Sequence, residues 1–195
     1  MAVKLVKPIN YKNIEKITDA DFEKQLKLLG VNSKFIVALS GGPDSLALLY
    51  LAKNFAKKNN LKFTAVSIDH NLREDSSKEI EWIKKLMKKE KVCFVTKKVK
   101  KKISSSNTLS KARKHRYELL TDVCKKNKFK YLLTAHHLDD EIETFLMRLI
   151  RGSGLKGLSS LKSVSKHKGG EINIIRPLLK YSKKRLIKYL ATIKQ

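Results

Sequence analysis

Residues 35–45 read FIVALSGGPDS, in which five apolar residues run straight into a glycine-containing loop. A continuous apolar run of this length is typical of a strand that is buried on both faces of a sheet. Helical spacing follows at once over residues 45–58, through Leu48, Leu49 and Ala52. A buried strand, a short loop and a helix in this order predict the first half of a βαβ unit.

The same alternation continues along the chain. Apolar runs predict four further strands, at 63–68, 92–99, 131–135 and 172–175. Helical patterns alternate with them, at 80–87, 108–126, 138–150 and from 182 onward. This order predicts an α/β fold with a mostly parallel, doubly wound sheet and helices on both faces. Ligands bind beyond the carboxyl ends of the strands in such sheets, which directs attention to residues 40–45, 69–70 and 136–140.

The composition points to a polyanionic partner. The chain has 195 residues, with 44 Lys and Arg against 18 Asp and Glu, a net charge of +26 and a pI of about 10.1. Such a balance suits nucleic acid, a membrane surface or nucleotide phosphates. The alternative is codon bias, because most of the basic residues are lysine and only seven are arginine. The charge alone leaves both interpretations open.

Cysteine content and hydropathy narrow the class of protein. The two cysteines, Cys93 and Cys124, form no Cys-x-x-Cys pair, which argues against a disulfide framework, a zinc site or an iron–sulfur cluster. The start of the chain is too short and too charged for a secretory signal, and no apolar run approaches 18 residues. We therefore expect a cytoplasmic protein with no membrane partner.

The loop after the first strand has the chemistry of a phosphate site. Paired glycines let backbone N–H groups approach an anion, and the following helix adds unpaired N–H groups and the positive end of its dipole. A carboxylate in the loop suits the Mg²⁺ that accompanies a nucleotide. No lysine is embedded, so this is not a Walker A loop. The alternative is a purely structural role, in which the loop is a tight turn and Asp or Ser caps the helix. The predicted phosphate-binding residues are Ser40, Gly41, Gly42, Pro43, Asp44 and Ser45, with Asp44 also holding the metal.

The helix at 138–150 begins with a cluster of carboxylates. Asp140 and Glu143 lie at i, i+3 on one face, while Ile142, Phe145, Leu146 and Leu149 are expected to form the opposite, core-facing stripe. Acids at a helix N-terminus commonly complement its dipole. In so basic a chain they also suit a cationic substrate, whose amine a carboxylate can deprotonate.

Two other residue types add candidates. Adjacent histidines on a strand point to opposite faces, so we favour His136 for the site and assign His137 a structural role. Arg113 and Arg116 lie at i, i+3 on a basic helix, and their planar guanidinium groups suit phosphate. Arg151 and Arg176 are weaker candidates of the same kind, for phosphate contact.

The loop resembles that of the PP-loop ATP pyrophosphatases, a superfamily with an adenine nucleotide alpha hydrolase-like fold that cleaves ATP between the α and β phosphates. Five further stretches are similar, in order, to motifs of the tRNA(Ile)-lysidine synthetase family. They are DHNLR at 69–73, ARKHRY at 112–117, AHHLDDEIET at 135–144, RGSGLKGL at 151–158 and RPLL at 176–179. The resemblance covers about 34–190, and it places Asp140, Glu143 and His136 at a lysine pocket and the arginines at ATP or tRNA.

The resemblance implies an ATP- and Mg²⁺-dependent ligase with two substrates, an isoleucine tRNA with a CAU anticodon and free L-lysine. The C2 oxygen of the wobble cytidine is adenylated with loss of pyrophosphate, and lysine then displaces AMP to give lysidine. The rivals are a tRNA thiolase, which commonly uses cysteine pairs, a small-molecule amidating synthetase, and a non-catalytic nucleotide- or RNA-binding relic. The sequence leaves the oligomeric state open, with a homodimer among the options.

The resemblance also suggests how the chain is divided. We expect a basic lead-in at 1–33, whose short helix is capped by Thr18 or Asp19, and a PP-loop catalytic domain at 34–180. Residues 181–195 are interpreted as the start of a C-terminal helix or appendage. Members of the family usually carry further C-terminal material, so the chain is interpreted as either a fragment or a minimal enzyme.

Overall fold

The structure, a computed structural model, describes residues 15–69, 76–99, 108–152, 154, 161–167 and 170–193. Helices and strands alternate over this part of the chain. The strands are β1 Phe35–Ala38, β2 Phe63–Asp69, β3 Phe94–Lys98, β4 Tyr131–Leu133, β5 Val164–Lys166 and β6 Asn173–Ile175. The helices are α1 Asp19–Leu28, α2 Pro43–Lys58, α3 Ser76–Lys89, α4 Thr108–Lys126, α5 Leu138–Ile150 and α6 Lys183–Thr192.

The six strands form one sheet in the order β3-β2-β1-β4-β6-β5. All neighbouring pairs are parallel except β5 with β6, which are antiparallel. The predicted mostly parallel sheet is therefore confirmed. The edge strand β5 was not predicted, because its three residues are largely exposed and carry no apolar run.

Helices cover both faces of the sheet, as predicted. Phe35 and Val37 of β1 pack in a core with side chains of α1, α2 and α6. Ile36, between them, packs with Leu120 and Val123 of α4 on the other face. This alternation is what the period of two along a strand requires, and it explains why β1 is apolar at every position.

The helix predicted in the lead-in is confirmed as α1. Thr18 caps it: its Oγ1 accepts a hydrogen bond from Asp21 N at 3.1 Å, and Asp21 Oδ2 accepts one from Thr18 N at 3.2 Å. This reciprocal pair is a capping box. Phe22 and Leu26 are fully buried in the same core as α2, so α1 is packed as part of the α/β unit.

The prediction that the apolar stripe of α5 faces the core is wrong. Ile142, Phe145, Leu146 and Leu149 are 42–52% exposed, and no residue of α5 is buried. Amphipathic spacing shows that a helix has an apolar side, but not which surface covers that side. None of the helices in the described part of the chain is long and apolar enough to cross a membrane.

Candidate active site

The loop between β1 and α2 leaves the start of α2 open to an anion. Gly42 is the N-cap and makes no side-chain cap hydrogen bond, so no side chain of the cap satisfies the first-turn N–H groups. Gly41 has a φ of +86°, and a Cβ there would come within 3.2 Å of Ile83 Cδ1. Both the backbone conformation and the space around it favour glycine at position 41.

Two hydroxyl groups fix the shape of this loop. Ser45 Oγ accepts hydrogen bonds from Ser40 N at 3.2 Å and from Ser40 Oγ at 3.1 Å, and it donates to Gly42 O at 2.8 Å. Ser45 is buried, whereas Ser40 is exposed. The loop is thus held in one conformation before any ligand binds, which lowers the entropic cost of binding.

A cavity of about 600 Å³ opens beside the loop, at the carboxyl ends of β1, β2 and β4. Its volume lies in the usual range for small-molecule sites. It brings together most of the residues predicted from sequence: Ser40, Gly42, Asp44, Ser45, Arg113, Arg116, His136, Asp140 and Glu143. Gly41 and Pro43 belong to the loop without lining the cavity. The loop and the acidic pair therefore lie on the same rim of the sheet.

The Asp44 carboxylate is held from two directions. Its Oδ2 lies 3.5 Å from His137 Nε2 and 3.7 Å from Lys183 Nζ. Its Oδ1 is buried and accepts no hydrogen bond from another described residue. Burial raises the pKa of Asp44, but the hydrogen bond from His137 and the charges of His137 and Lys183 outweigh burial, so the pKa lies below its usual value.

His136 is fixed as a neutral imidazole that supports an arginine. Its Nε2 is 3.1 Å from Arg113 Nη2 and its Nδ1 is 3.0 Å from Thr134 Oγ1. Arginine only donates, so Nε2 accepts and the ring proton sits on Nδ1, towards Thr134. Burial, then the charges of Arg113 and Arg176, lower the pKa of His136 to about 4. The imidazole is therefore uncharged at neutral pH.

The acids at the head of α5 divide between two tasks. Asp140 and Glu143 line the cavity. Asp140 Oδ2 also accepts from His137 N at 2.9 Å, as one half of a capping box. Asp139 is exposed and faces α6, where its Oδ2 accepts from Lys183 N at 2.7 Å. The cavity thus gains two carboxylates from this helix, while Asp139 ties α5 to α6.

Two predicted arginines lie outside the cavity. Arg176 is buried, and its Nη1 donates to Lys162 O at 2.8 Å and to Ser165 Oγ at 2.9 Å. These bonds tie the residue after β6 to the β5 strand. Arg151 is the exposed C-cap of α5. The structure therefore groups neither arginine with the phosphate loop.

Sequence reasoning gave no role to several residues of this site. Asp69 ends β2, is buried and lines the cavity. Its place at the end of a strand and the DHNLR motif both indicated it, but residues 70–73 of that motif lie outside the described residues. Thr134 orients His136, and Lys183 reaches Asp44. Residues 153 and 155–158 of the downstream motif are also outside the described part. No sequence signal links Lys183 to a loop so distant along the chain.

Comparisons with known proteins give a family model and relatives that cover most of the chain. A family model described as a PP-loop domain matches residues 13–195. The chain is 48% identical over 160 residues to a tRNA(Ile)-lysidine synthase from Rickettsia bellii strain OSU 85-389, with 82% of this chain and 36% of the relative covered. It is 46% identical over 161 residues to one from Wolbachia pipientis wMel, with 81% and 37% covered. The chain thus spans little more than a third of the length of these relatives.

Solved structures show the same fold. The U34-tRNA thiolase NcsA from Methanococcus maripaludis superposes with a TM-score of 0.75 at 23% identity, covering 90% of this chain and 63% of that one. The NH3-dependent NAD synthetase from Campylobacter jejuni gives 0.55 at 15% identity, covering 90% and 70%. At these identities the likeness shows the fold alone.

Proposed function

The chain belongs to the PP-loop domain family, and on that premise we propose that its cavity binds ATP and adenylates a tRNA before ligating lysine to it. One observation carries the proposal: a single cavity joins the phosphate loop, two arginines and the Asp140–Glu143 pair. A nucleotide triphosphate and an amino group can therefore occupy neighbouring positions. The relatives support the choice of substrates, since both are tRNA(Ile)-lysidine synthases.

The phosphates of ATP would bind at the loop formed by residues 40–45. The uncapped start of α2 supplies N–H groups and the positive end of the helix dipole. Arg113 and Arg116 also line the cavity, where their guanidinium groups would stabilise charge that develops on the α-phosphate as pyrophosphate leaves. His136 holds Arg113 in place through Nε2.

Asp44 fits the Mg²⁺ that accompanies ATP. Its Oδ1 is buried without a donor from another described residue, a costly arrangement that a cation would relieve. In the described part of the chain, no group of three or more His, Cys, Asp or Glu side chains is arranged to hold a metal. A single carboxylate is nevertheless what Mg²⁺ uses when substrate phosphates complete its coordination. When bound, Mg²⁺ would neutralise phosphate charge.

Asp140 and Glu143 would bind the ε-ammonium group of lysine. Carboxylates one helical turn apart present oxygens to the same cation, and one of them can take a proton from the ammonium so that a free amine attacks. The attacked position is C2 of the wobble cytidine, whose O2 has been adenylated, and AMP leaves as the C–N bond forms. A wobble base is unpaired and can be turned out of the anticodon loop into a pocket.

The assay is ATP-dependent incorporation of labelled lysine into an isoleucine tRNA with a CAU anticodon, with the natural full-length protein. We expect incorporation with release of one pyrophosphate and one AMP per lysine. Asp44→Ala should reduce pyrophosphate release by at least about 100-fold, with tRNA binding nearly intact. Sulfur transfer to the tRNA, or tRNA binding without incorporation, would replace this proposal by the thiolase or by the non-catalytic module.

A further inference from the structure

His137 is the histidine that the sequence analysis set aside, yet it contacts two functional elements at once. It is buried, with 4% of its surface exposed, and it does not line the cavity. It lies between the phosphate loop and the head of α5. We propose that His137 is a positioning residue for the adenylation step, which holds the Asp44 carboxylate through Nε2 while Nδ1 caps α5; this rests on the proposed function.

The two ring nitrogens of His137 have separate tasks. Nδ1 accepts a hydrogen bond from Asp140 N at 3.4 Å, as the N-cap of α5. A neutral ring that accepts at Nδ1 carries its proton on Nε2, and a protonated ring has hydrogens on both nitrogens. In either charge state an N–H on Nε2 faces Asp44 Oδ2, 3.5 Å away. The contact is therefore independent of the titration of the ring.

A second element holds the same oxygen. Lys183 Nζ lies 3.7 Å from Asp44 Oδ2. Lys183 is itself fixed, because its backbone N–H donates to Asp139 Oδ2 at 2.7 Å. The turn before α6 is also tied to α5, since Leu138 N donates to Tyr181 O at 3.0 Å. Asp44 Oδ2 is thus held from the heads of both α5 and α6, which leaves Oδ1 as the oxygen without a donor from another described residue.

The consequence is that the orientation of Asp44 is set by residues far from it in sequence. An aspartate at the first turn of a helix has rotamer freedom of its own. A displacement of about 1 Å of a positioned group is enough to cost on the order of 100-fold in rate. The same imidazole that places Asp44 also caps the helix carrying Asp140, so it links the phosphate side of the cavity to the acidic side.

Two substitutions separate the roles of the imidazole. In His137→Asn, the amide oxygen takes the place of Nδ1 and keeps the cap, since Asn is a good N-cap residue, but the shorter side chain does not reach Asp44, which keeps only the contact with Lys183. In His137→Gln, the amide nitrogen reaches the place of Nε2 and keeps the Asp44 contact, but the cap is lost. We expect His137→Asn to melt about 2–4 °C below the parent, because the Asp44 contact is lost, and to lose about tenfold or more in kcat for pyrophosphate release, with KM for ATP changing less.

His137→Gln should melt several degrees lower and keep more of the parent kcat than His137→Asn does. The reverse order of kcat in the two variants, or a loss in both that follows their melting temperatures, would overturn the proposal and leave His137 as a cap alone. His115→Asn is the matched control, since His115 is an exposed histidine of α4 outside the cavity. It should leave kcat and melting unchanged.

A stability cycle tests the contact without any ATP or activity. Asp44→Asn, His137→Asn and the double variant are melted in buffer free of nucleotide and metal. Asp44→Asn should lower the melting temperature by about 2–4 °C in the parent and by clearly less in the His137→Asn background. Additive shifts would overturn the contact itself. An inactive parent with a non-additive cycle would reject the proposed function while keeping the contact.

Discussion

At the scale of single residues, His136 makes the stability of the protein depend on pH. Its folded-state pKa of about 4 lies below the usual 6.5, because burial and neighbouring arginines disfavour the charged ring. As the pH falls, the unfolded chain therefore binds a proton first. The stability that His136 confers is complete above about pH 6.5 and is lost as the pH falls to about 4.

We expect His136→Gln to flatten this dependence. Between pH 6.5 and pH 4 the parent should lose up to about 2 kcal/mol more free energy of unfolding than the variant, a figure reduced for the partial exposure of the ring. Urea unfolding followed by circular dichroism at several pH values measures it. A His136→Gln curve parallel to the parent would contradict the assigned burial.

The sequence predicted the roles of His136 and His137 only in part. Adjacent residues on a strand point to opposite faces, and of the two only His136 lines the cavity. The strand ends at Leu133, however, so alternation does not govern either residue. His137 is an N-cap instead, and its link to Asp44 joins residues that only the folded sheet brings together. Such contacts leave no periodic signal in a sequence.

At the scale of elements, apolar patterns located the helices and five strands. They did not show which surface packs against the apolar side of each element. The strand β1 was recognisable because both its faces are buried and every residue is apolar. Helix α5 shows the reverse case, since its apolar spacing is real but the stripe is exposed. Its acidic side lines the cavity and its N-terminal end is tied to α6. The position of α5 is thus fixed by polar contacts that periodicity does not report.

This difference between α5 and a buried helix is measurable. Leu149 of α5 is 52% exposed, whereas Leu48 of α2 is fully buried. We expect Leu149→Ala to cost less than about 1 kcal/mol, since alanine favours a helix and leaves no cavity there. Leu48→Ala should cost about 2–5 kcal/mol. Chemical denaturation of both variants gives the comparison, and equal costs would mean that the α5 stripe is buried after all.

At the scale of the whole molecule, the net charge of +26 bears on the proposed binding of tRNA. Charge that contacts phosphates releases counterions, so the affinity for tRNA must fall steeply as salt rises. Charge that arises from codon bias is scattered over the surface and contributes only a diffuse attraction. The two origins of the lysine excess therefore differ in what a single neutralised residue does to the salt dependence.

Substitutions at Arg151 and Lys34 allow this comparison, because each removes one positive charge. Arg151 is exposed at the end of α5, among the predicted tRNA contacts. Lys34 precedes β1, at the amino end of this strand and thus away from the cavity. Its Nζ donates to Asn127 O at 2.9 Å. We expect Arg151→Gln to reduce the slope of log affinity against log salt by about 1, and Lys34→Gln to leave it unchanged. Filter binding of isoleucine tRNA at several salt concentrations measures both slopes. Equal slopes in the two variants would assign the excess charge to composition and not to a phosphate-binding surface.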